Sequence, residues 1–202
     1  MPYKNRLRDF IFIVGPSGVG KTTLAKNLFK HYKSVYIEQN MIPEFISLDG
    51  KTAMTGELEE QTCWVATVAL LKSFHSLGYK NVIGLDFNDL RTRDIPDEFL
   101  GYDYITIKLV CSDYNQNLRQ MQNRENGLID EGLLEEMTHK IITRKPLVNE
   151  FCIDIKGKTP EAVAHEAITI INQAETQKEY TYIKPEKEQF YSWVWSDNLR
   201  TK

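Results

Sequence analysis

Short apolar runs alternate with longer stretches of helical periodicity along most of this chain. The first run, Phe10–Val14, contains no polar residue and reads as a strand buried on both faces. An amphipathic stretch, Thr22 to Tyr32, follows closely and reads as a helix. Ser34–Ile37 reads as a second, short strand, and Glu38 to Thr55 as a connection interrupted by Pro43 and Gly50. Glu57 to Leu77 carries Val65, Ala66, Ala69, Leu70, Phe74 and Leu77 at helical spacing, with Gly78 placed to stop the helix. Asn81–Leu85 reads as a third strand ending at Asp86, and Tyr104–Val110, β-branched with period two, as a fourth. Asp113 to Arg124 reads as a helix broken by Asn126-Gly127. The next helix starts at Asp130 or Glu131 and reaches about Arg144, and Phe151–Ile155 is the fifth strand. Thr159-Pro160-Glu161-Ala162 combines a threonine cap, a first-turn proline and an acid, so a helix starts there and runs to about Asn172.

Strands alternating with helices predict an α/β fold, a three-layer sandwich around a five-stranded parallel sheet. Residues 1–175 form the expected domain, and 176–202 an aromatic C-terminal extension. Its alternation Tyr191, Trp193, Trp195 is one face of a strand, a tail docked on its own domain, or a contact between two copies in a homodimer.

Composition narrows the reading. At 202 residues and 42% hydrophobic, the chain can bury the core of one domain. A net charge of -3 argues against general nucleic-acid binding. The apolar run after the polar, basic stretch Met1 to Asp9 is too short for a secretory core or a membrane span, so no membrane association and a cytoplasmic location are expected. Cys63, Cys111 and Cys152 are scattered and lack metal spacing, which suits reduced thiols in a packed interior. The four histidines are isolated, as surface or helix residues are.

The chemistry concentrates between the first strand and first helix, at Gly15-Pro16-Ser17-Gly18-Val19-Gly20-Lys21-Thr22, with Thr23 directly after. Strand, glycine-rich loop and helix are the context in which G-x-x-x-x-G-K-[ST] binds nucleotide phosphates. The glycines let successive N–H groups point inward as an anion nest, and the helix N-terminus adds free donors. Lys21 brings a point charge to the β- and γ-phosphates, and Thr22 a hydroxyl for Mg²⁺. The D-x-x-G and N-K-x-D pair of GTPases and the L-S-G-G-Q of transporters do not occur.

Over roughly Phe10 to Asn172 the chain resembles the small P-loop kinases: nucleoside monophosphate, shikimate-type and deoxynucleoside kinases. The wording G-P-S-G-V-G-K resembles guanylate kinases in particular, but their S-Y-T-T-R-type segment is missing. The resemblance implies ATP and Mg²⁺ as cofactors and transfer of the γ-phosphate to a small acceptor. A nucleoside or nucleotide is the favoured acceptor, and a shikimate-like hydroxylated metabolite the alternative. It implies that Asp86 helps hold the metal, against the plainer reading of a cap at a strand exit. Glu38 becomes the base that takes the acceptor's proton, or else an exposed loop acid, and Gln61 a contact to a base edge, or else a solvated helix residue. Arg91 and Arg93 lie where acceptor phosphate or leaving charge is expected. Arg119 and Arg124 become lid arginines of a small helical lid over roughly 119–130. Five residues apart, they stand ~140° apart on an ideal helix, so they converge only if Arg124 lies in the lid loop. The string Arg124-Glu125-Asn126-Gly127-Leu128-Ile129 with Leu133 and Leu134 resembles the lid of deoxynucleoside kinases, and Arg144 is a candidate third contact. Lys156-Gly157-Lys158-Thr159 falls where this group lines its adenine pocket. Two other readings stand beside the kinase: a nucleotide-binding regulator or slow NTPase, and an interaction module using the aromatic tail.

Overall fold

The computed structural model describes residues 5–42, 56–85, 91–123 and 131–186. Strands β1 (Phe10–Val14), β2 (Tyr36–Glu38), β3 (Val82–Leu85), β4 (Tyr104–Val110) and β5 (Glu150–Asp154) form one sheet in the order β2-β3-β1-β4-β5. Every pairing is parallel, with Phe10 registered against Val82 on one side and Tyr104 on the other. Helices α1 (Lys21–Tyr32), α2 (Gly56–Ser76), α3 (Ile95–Glu98), α4 (Tyr114–Gln122), α5 (Glu131–Thr143) and α6 (Pro160–Gln173) connect and cover the strands.

β1 lies at the centre, and all five of its residues are buried, which is why its run is unbroken by polar residues. On one face Ile11, Ile13, Ile83, Leu85, Ile105 and Ile107 pack with Leu24, Ala25 and Leu28 of α1 and Val163, Ala167 and Ile171 of α6. On the other, Phe10, Phe12, Val82 and Tyr104 meet Trp64, Val68 and Leu71 of α2 and Ile95 and Phe99 around α3. The sheet is therefore the middle of three layers. A side chain at Gly84 would press to 3.0 Å from Leu71 and 3.1 Å from Phe12, so α2 seats directly on the sheet there. Among the described residues no helix is long and apolar enough to cross a membrane.

Several expectations need correction. The fifth strand is Glu150–Asp154 rather than Phe151–Ile155. The second strand is Tyr36–Glu38 rather than Ser34–Ile37, because pairing with β3 begins at Tyr36 and ends with Glu38 against Leu85. Residues 92–98, left unassigned by periodicity, form a 3-10 turn, Thr92–Asp94, running into α3. The segment is too short for a repeat, though Pro96 and the acids Asp97 and Glu98 in its first turn are ordinary start signals. Cys152 is exposed, while Cys63 and Cys111 are buried as expected.

The chain after α6 turns back along the body. Tyr180 donates to the Pro96 carbonyl at 2.6 Å, Tyr182 donates to the Arg93 carbonyl at 2.8 Å, and Lys184 pairs with Asp94 at 2.9 Å and Asp97 at 3.0 Å. Residues 180–184 thus strap the 92–98 turn through its acids and carbonyls. Phe190, Tyr191, Trp193 and Trp195 lie outside the described residues.

At the end of the sheet opposite the strand C-termini, Asp9 accepts from Lys80 at 2.6 Å, from His75 at 2.8 Å and from the Asp103 N–H at 2.9 Å. Burial alone would raise its pKa, but these donors outweigh it and hold the carboxyl at about 2, below its ordinary 3.8. Folding therefore favours the ionised form. The resulting stability is fully present above the ordinary value and is lost as pH falls toward 2. Urea titrations at several pH values should show wild type losing more stability than Asp9→Asn between about pH 4 and pH 2. Parallel loss in both proteins would contradict the assignment.

Candidate active site

The C-terminal ends of β1, β2 and β3 reach the same edge of the sheet, where ligands of open α/β folds bind. The loop Gly15–Gly20 leaves β1 there and enters α1. Gly15 has φ +142°, and a β-carbon on it would fall 2.3 Å from the Leu109 carbonyl oxygen, so the loop lies against the backbone of β4. Gly18, at φ +86°, presses on α4: a β-carbon there would meet the Asn117 Oδ1 at 2.8 Å. Val19 is buried in the core between sheet and α1, which pins the loop from within.

α1 begins in an unusual way. Its N-cap is Gly20 in left-handed conformation, with no side chain capping the first turn and no acid within it. Asp113 caps α4 and Thr159 caps α6, each through its side-chain oxygen. The first N–H groups of α1 therefore carry no side-chain cap, at the positive end of the helix dipole, as an anion site requires. Lys21 is buried and folds over the loop, donating to the carbonyls of Gly15 at 2.8 Å and Pro16 at 2.9 Å. Pro16 and Ser17 are buried, Thr22 is partly exposed and Thr23 is exposed.

Glu38 closes β2. It registers with Leu85, which registers with Ile13, and both of those belong to the core beneath α1. Paired residues of a parallel sheet share a face, so Glu38 enters the layer that carries α1, at the edge from which the loop projects. It is only 7% exposed, yet its Oε1 has no hydrogen-bond partner among the described residues. A buried acceptor left unpaired costs about 1–3 kcal/mol, and more when charged. Glu38 is therefore a buried acid, not an exposed one.

Gln61 and Arg91 are brought together, but with each other. Arg91 donates to both carboxylate oxygens of Glu60, to the Gln61 Oε1 at 2.6 Å and to Asp94 at 3.1 Å. Burial opposes its charge, but Glu60 and Asp94 more than compensate and raise its pKa above the ordinary arginine value. This cluster ties the first turns of α2 to the 92–98 turn. Arg93 donates to the Pro185 carbonyl at 2.9 Å. Arg144 forms a salt bridge with Glu150 at 2.5 Å, joining α5 to β5. On α4, Asn117 and Met121 face Gly18. Arg119, ~200° round the helix from Asn117, is exposed. Asp86 and Arg124 lie outside the described residues, as do residues 43–55 of the connection after β2 and the Asn126-Gly127 break.

The loop after β5 is held to α4 by Gln116, which donates to the Ile155 carbonyl at 3.3 Å and accepts from the Gly157 N–H at 3.0 Å. Asn117 and Gln116 carried no signal in the sequence, because neither belongs to the motif and their partners are distant in the chain.

This is the fold of the P-loop kinases. Similar solved structures include a sugar kinase from Janibacter sp. HTCC2649, with a TM-score of 0.61 and 17% identity, over 84% of this chain and 96% of that one. A gluconokinase from Sinorhizobium meliloti 1021 gives 0.61 and 16%, over 82% and 93% of the two chains. Thymidylate kinase from Candida albicans gives 0.51 and 14%, over 83% and 92%. A family profile described as NB-ARC domain, likewise a P-loop NTPase family, matches residues 3–61, from the N-terminal segment through the loop, α1 and β2 into α2. Comparison with curated protein sequences finds no match.

Proposed function

We propose that the protein is an ATP- and Mg²⁺-dependent kinase that phosphorylates a hydroxyl group of a small acceptor. The observation that carries this reading is Glu38: a buried carboxylate with an unpaired oxygen, on the face and edge of the sheet from which the phosphate loop projects. An attacking hydroxyl must lose its proton, and a carboxylate held in this way is ready to take it.

Transfer is in line. The acceptor oxygen bonds to the γ-phosphorus, the bond from that phosphorus to the β–γ bridging oxygen breaks, ADP leaves, and the acceptor's proton passes to Glu38. The N–H groups of the loop and the start of α1, which no side chain caps, hold the phosphates in this reading. Lys21 leaves the Gly15 and Pro16 carbonyls to meet the β- and γ-phosphates. The partly exposed hydroxyl of Thr22 stands at that open helix end, which suits a hard cation. Thr22 and Asp86 would hold the magnesium, which supplies positive charge to the transferring group when bound. Arg119 and Arg124 are the candidates for completing the charge balance in this reading.

Arg91 bears on the choice of acceptor. Glu60 and Asp94 together outweigh its single charge, and Gln61 shares the same guanidinium. The cluster therefore does not favour an acceptor phosphate, and an uncharged hydroxyl compound fits better than a nucleotide. A nucleoside is the first choice and a sugar-like or shikimate-like metabolite the second. ADP release should rise with nucleosides or polyols and stay at the water background with nucleoside monophosphates. Stimulation by monophosphates alone would overturn the acceptor assignment.

Replacing Glu38 by glutamine should lower kcat about 10²–10⁴-fold with ATP affinity unchanged, as loss of a general base does. Equal losses in both quantities would show that Glu38 only supports the loop. The NB-ARC match over residues 3–61 favours a second reading, a nucleotide-binding regulator. That protein would bind ATP, and no acceptor would accelerate ADP release.

A further inference from the structure

Asn117 is completely buried in the middle of α4, and its Oδ1 has no hydrogen-bond partner among the described residues. Native proteins keep few such groups, and each one calls for a reason. Here the neighbours supply it. A β-carbon on Gly18 would lie 2.8 Å from this Oδ1, 3.1 Å from the Asn117 carbonyl oxygen and 3.4 Å from the Met121 Cβ. The absence of a side chain on Gly18 is therefore what lets its backbone lie against this oxygen. The amide nitrogen reaches the other way and donates to the Thr138 hydroxyl of α5 at 3.4 Å. α4 itself is fixed at its start by the Asp113 cap and by the two bonds of Gln116 to the loop after β5.

We propose that Asn117 is a positioning residue for nucleotide binding: it backs Gly18 and holds that turn of the phosphate loop in its anion-binding conformation. The inference rests on the loop binding nucleotide, as proposed above. A loop of main-chain donors works by being organised before the phosphate arrives. Gly18 has φ +86° and no side chain of its own to pack, so its conformation is set by what lies behind it. The polar back wall is matched to Gly18 at close range, whereas a leucine of similar size would present branched methyl groups to the same backbone. Asn117 touches neither phosphate nor acceptor, so its effect reaches the ligand only through Gly18.

The test separates this role from simple core packing. Leucine removes the unpaired buried oxygen and gives up only the long 3.4 Å bond to the Thr138 hydroxyl, so stability should be unchanged or improved. Asn117→Leu and Asn117→Ala are prepared in the full chain, with melting temperature and Mg·ATP affinity measured by calorimetry. The expected result for Asn117→Leu is a melting temperature at or above that of wild type with ATP affinity weakened about tenfold. Asn117→Ala should show a similar weakening. A packing residue would move melting temperature and leave affinity alone. If either natively folded variant binds ATP within twofold of wild type, the inference is overturned while the nucleotide site stands. If wild type itself retains no ATP, both readings fall together.

Discussion

Replacing Lys21 by alanine is expected to lower phosphoryl transfer by at least about a thousandfold while leaving the fold in place. The size of the effect comes from where the charge develops. The transferring group spreads negative charge over its equatorial oxygens, and Lys21 is the motif cation at the mouth of α1. In the present conformation its ammonium group is parked on the carbonyls of Gly15 and Pro16, within reach of the space that the loop encloses. The fold should tolerate the change because the loop is pinned elsewhere, by Val19 in the core and by Gly15 against Leu109. Circular dichroism should match wild type, and ADP release with an active acceptor should fall to background. Activity within tenfold of wild type would remove Lys21 from the site.

Replacing Arg8 by methionine should have the largest effect on stability, about 3–5 kcal/mol. Arg8 is completely buried at the far end of the sheet. Its Nε donates to the Ile171 carbonyl at 2.8 Å, Nη1 to Asp103 at 2.7 Å and Thr176 at 2.8 Å, and Nη2 to the Ala174 carbonyl at 2.5 Å. It therefore satisfies the last carbonyls of α6 and pairs the acid that borders β4. Burial lowers its pKa, and the Asp103 carboxylate works against that shift. Methionine would take the buried guanidinium from the Ile171 carbonyl and from Asp103, leaving the Ala174 carbonyl to Arg6 and the Asp103 carboxylate to Thr176 and Arg6. For a domain of this size the melting temperature should fall by roughly 10 °C. Arg8→Lys should fail almost as badly, since a point charge cannot replace a planar fork. A shift of less than about 2 °C in the methionine variant would contradict this account.

The contrast between Lys21 and Arg8 shows what could be read from the chain. The loop, β1, the β4 run and the Thr159 cap are local patterns: their residue types meet geometric demands within a few positions of one another. The order of elements and the parallel sheet follow from that alternation. Arg8 sits in a stretch that looks like a polar, basic end, and only its partners near residues 103 and 171–176 make it a core residue. Asn117 is likewise an ordinary helix residue until Gly18, almost a hundred positions earlier, is found against it. Glu38 stood between a base and an exposed acid, and its burial depended on the register of β2 against β3, which no local pattern contains. Arg91 and Gln61 both stand in the sequence as substrate contacts, but Arg91 bonds Gln61 directly within a cluster completed by Glu60 and by Asp94 of the 92–98 turn, which is too short to announce itself by periodicity.

The most direct measurement of the central claim follows the phosphate itself. The full chain, γ-labelled ATP and magnesium are incubated with a panel of nucleosides and polyols, and the label is traced. Transfer of label to an acceptor hydroxyl, lost in Lys21→Ala and strongly slowed in Glu38→Gln, is the predicted result. Label that stays on ATP, or appears only as inorganic phosphate with every acceptor, would contradict it.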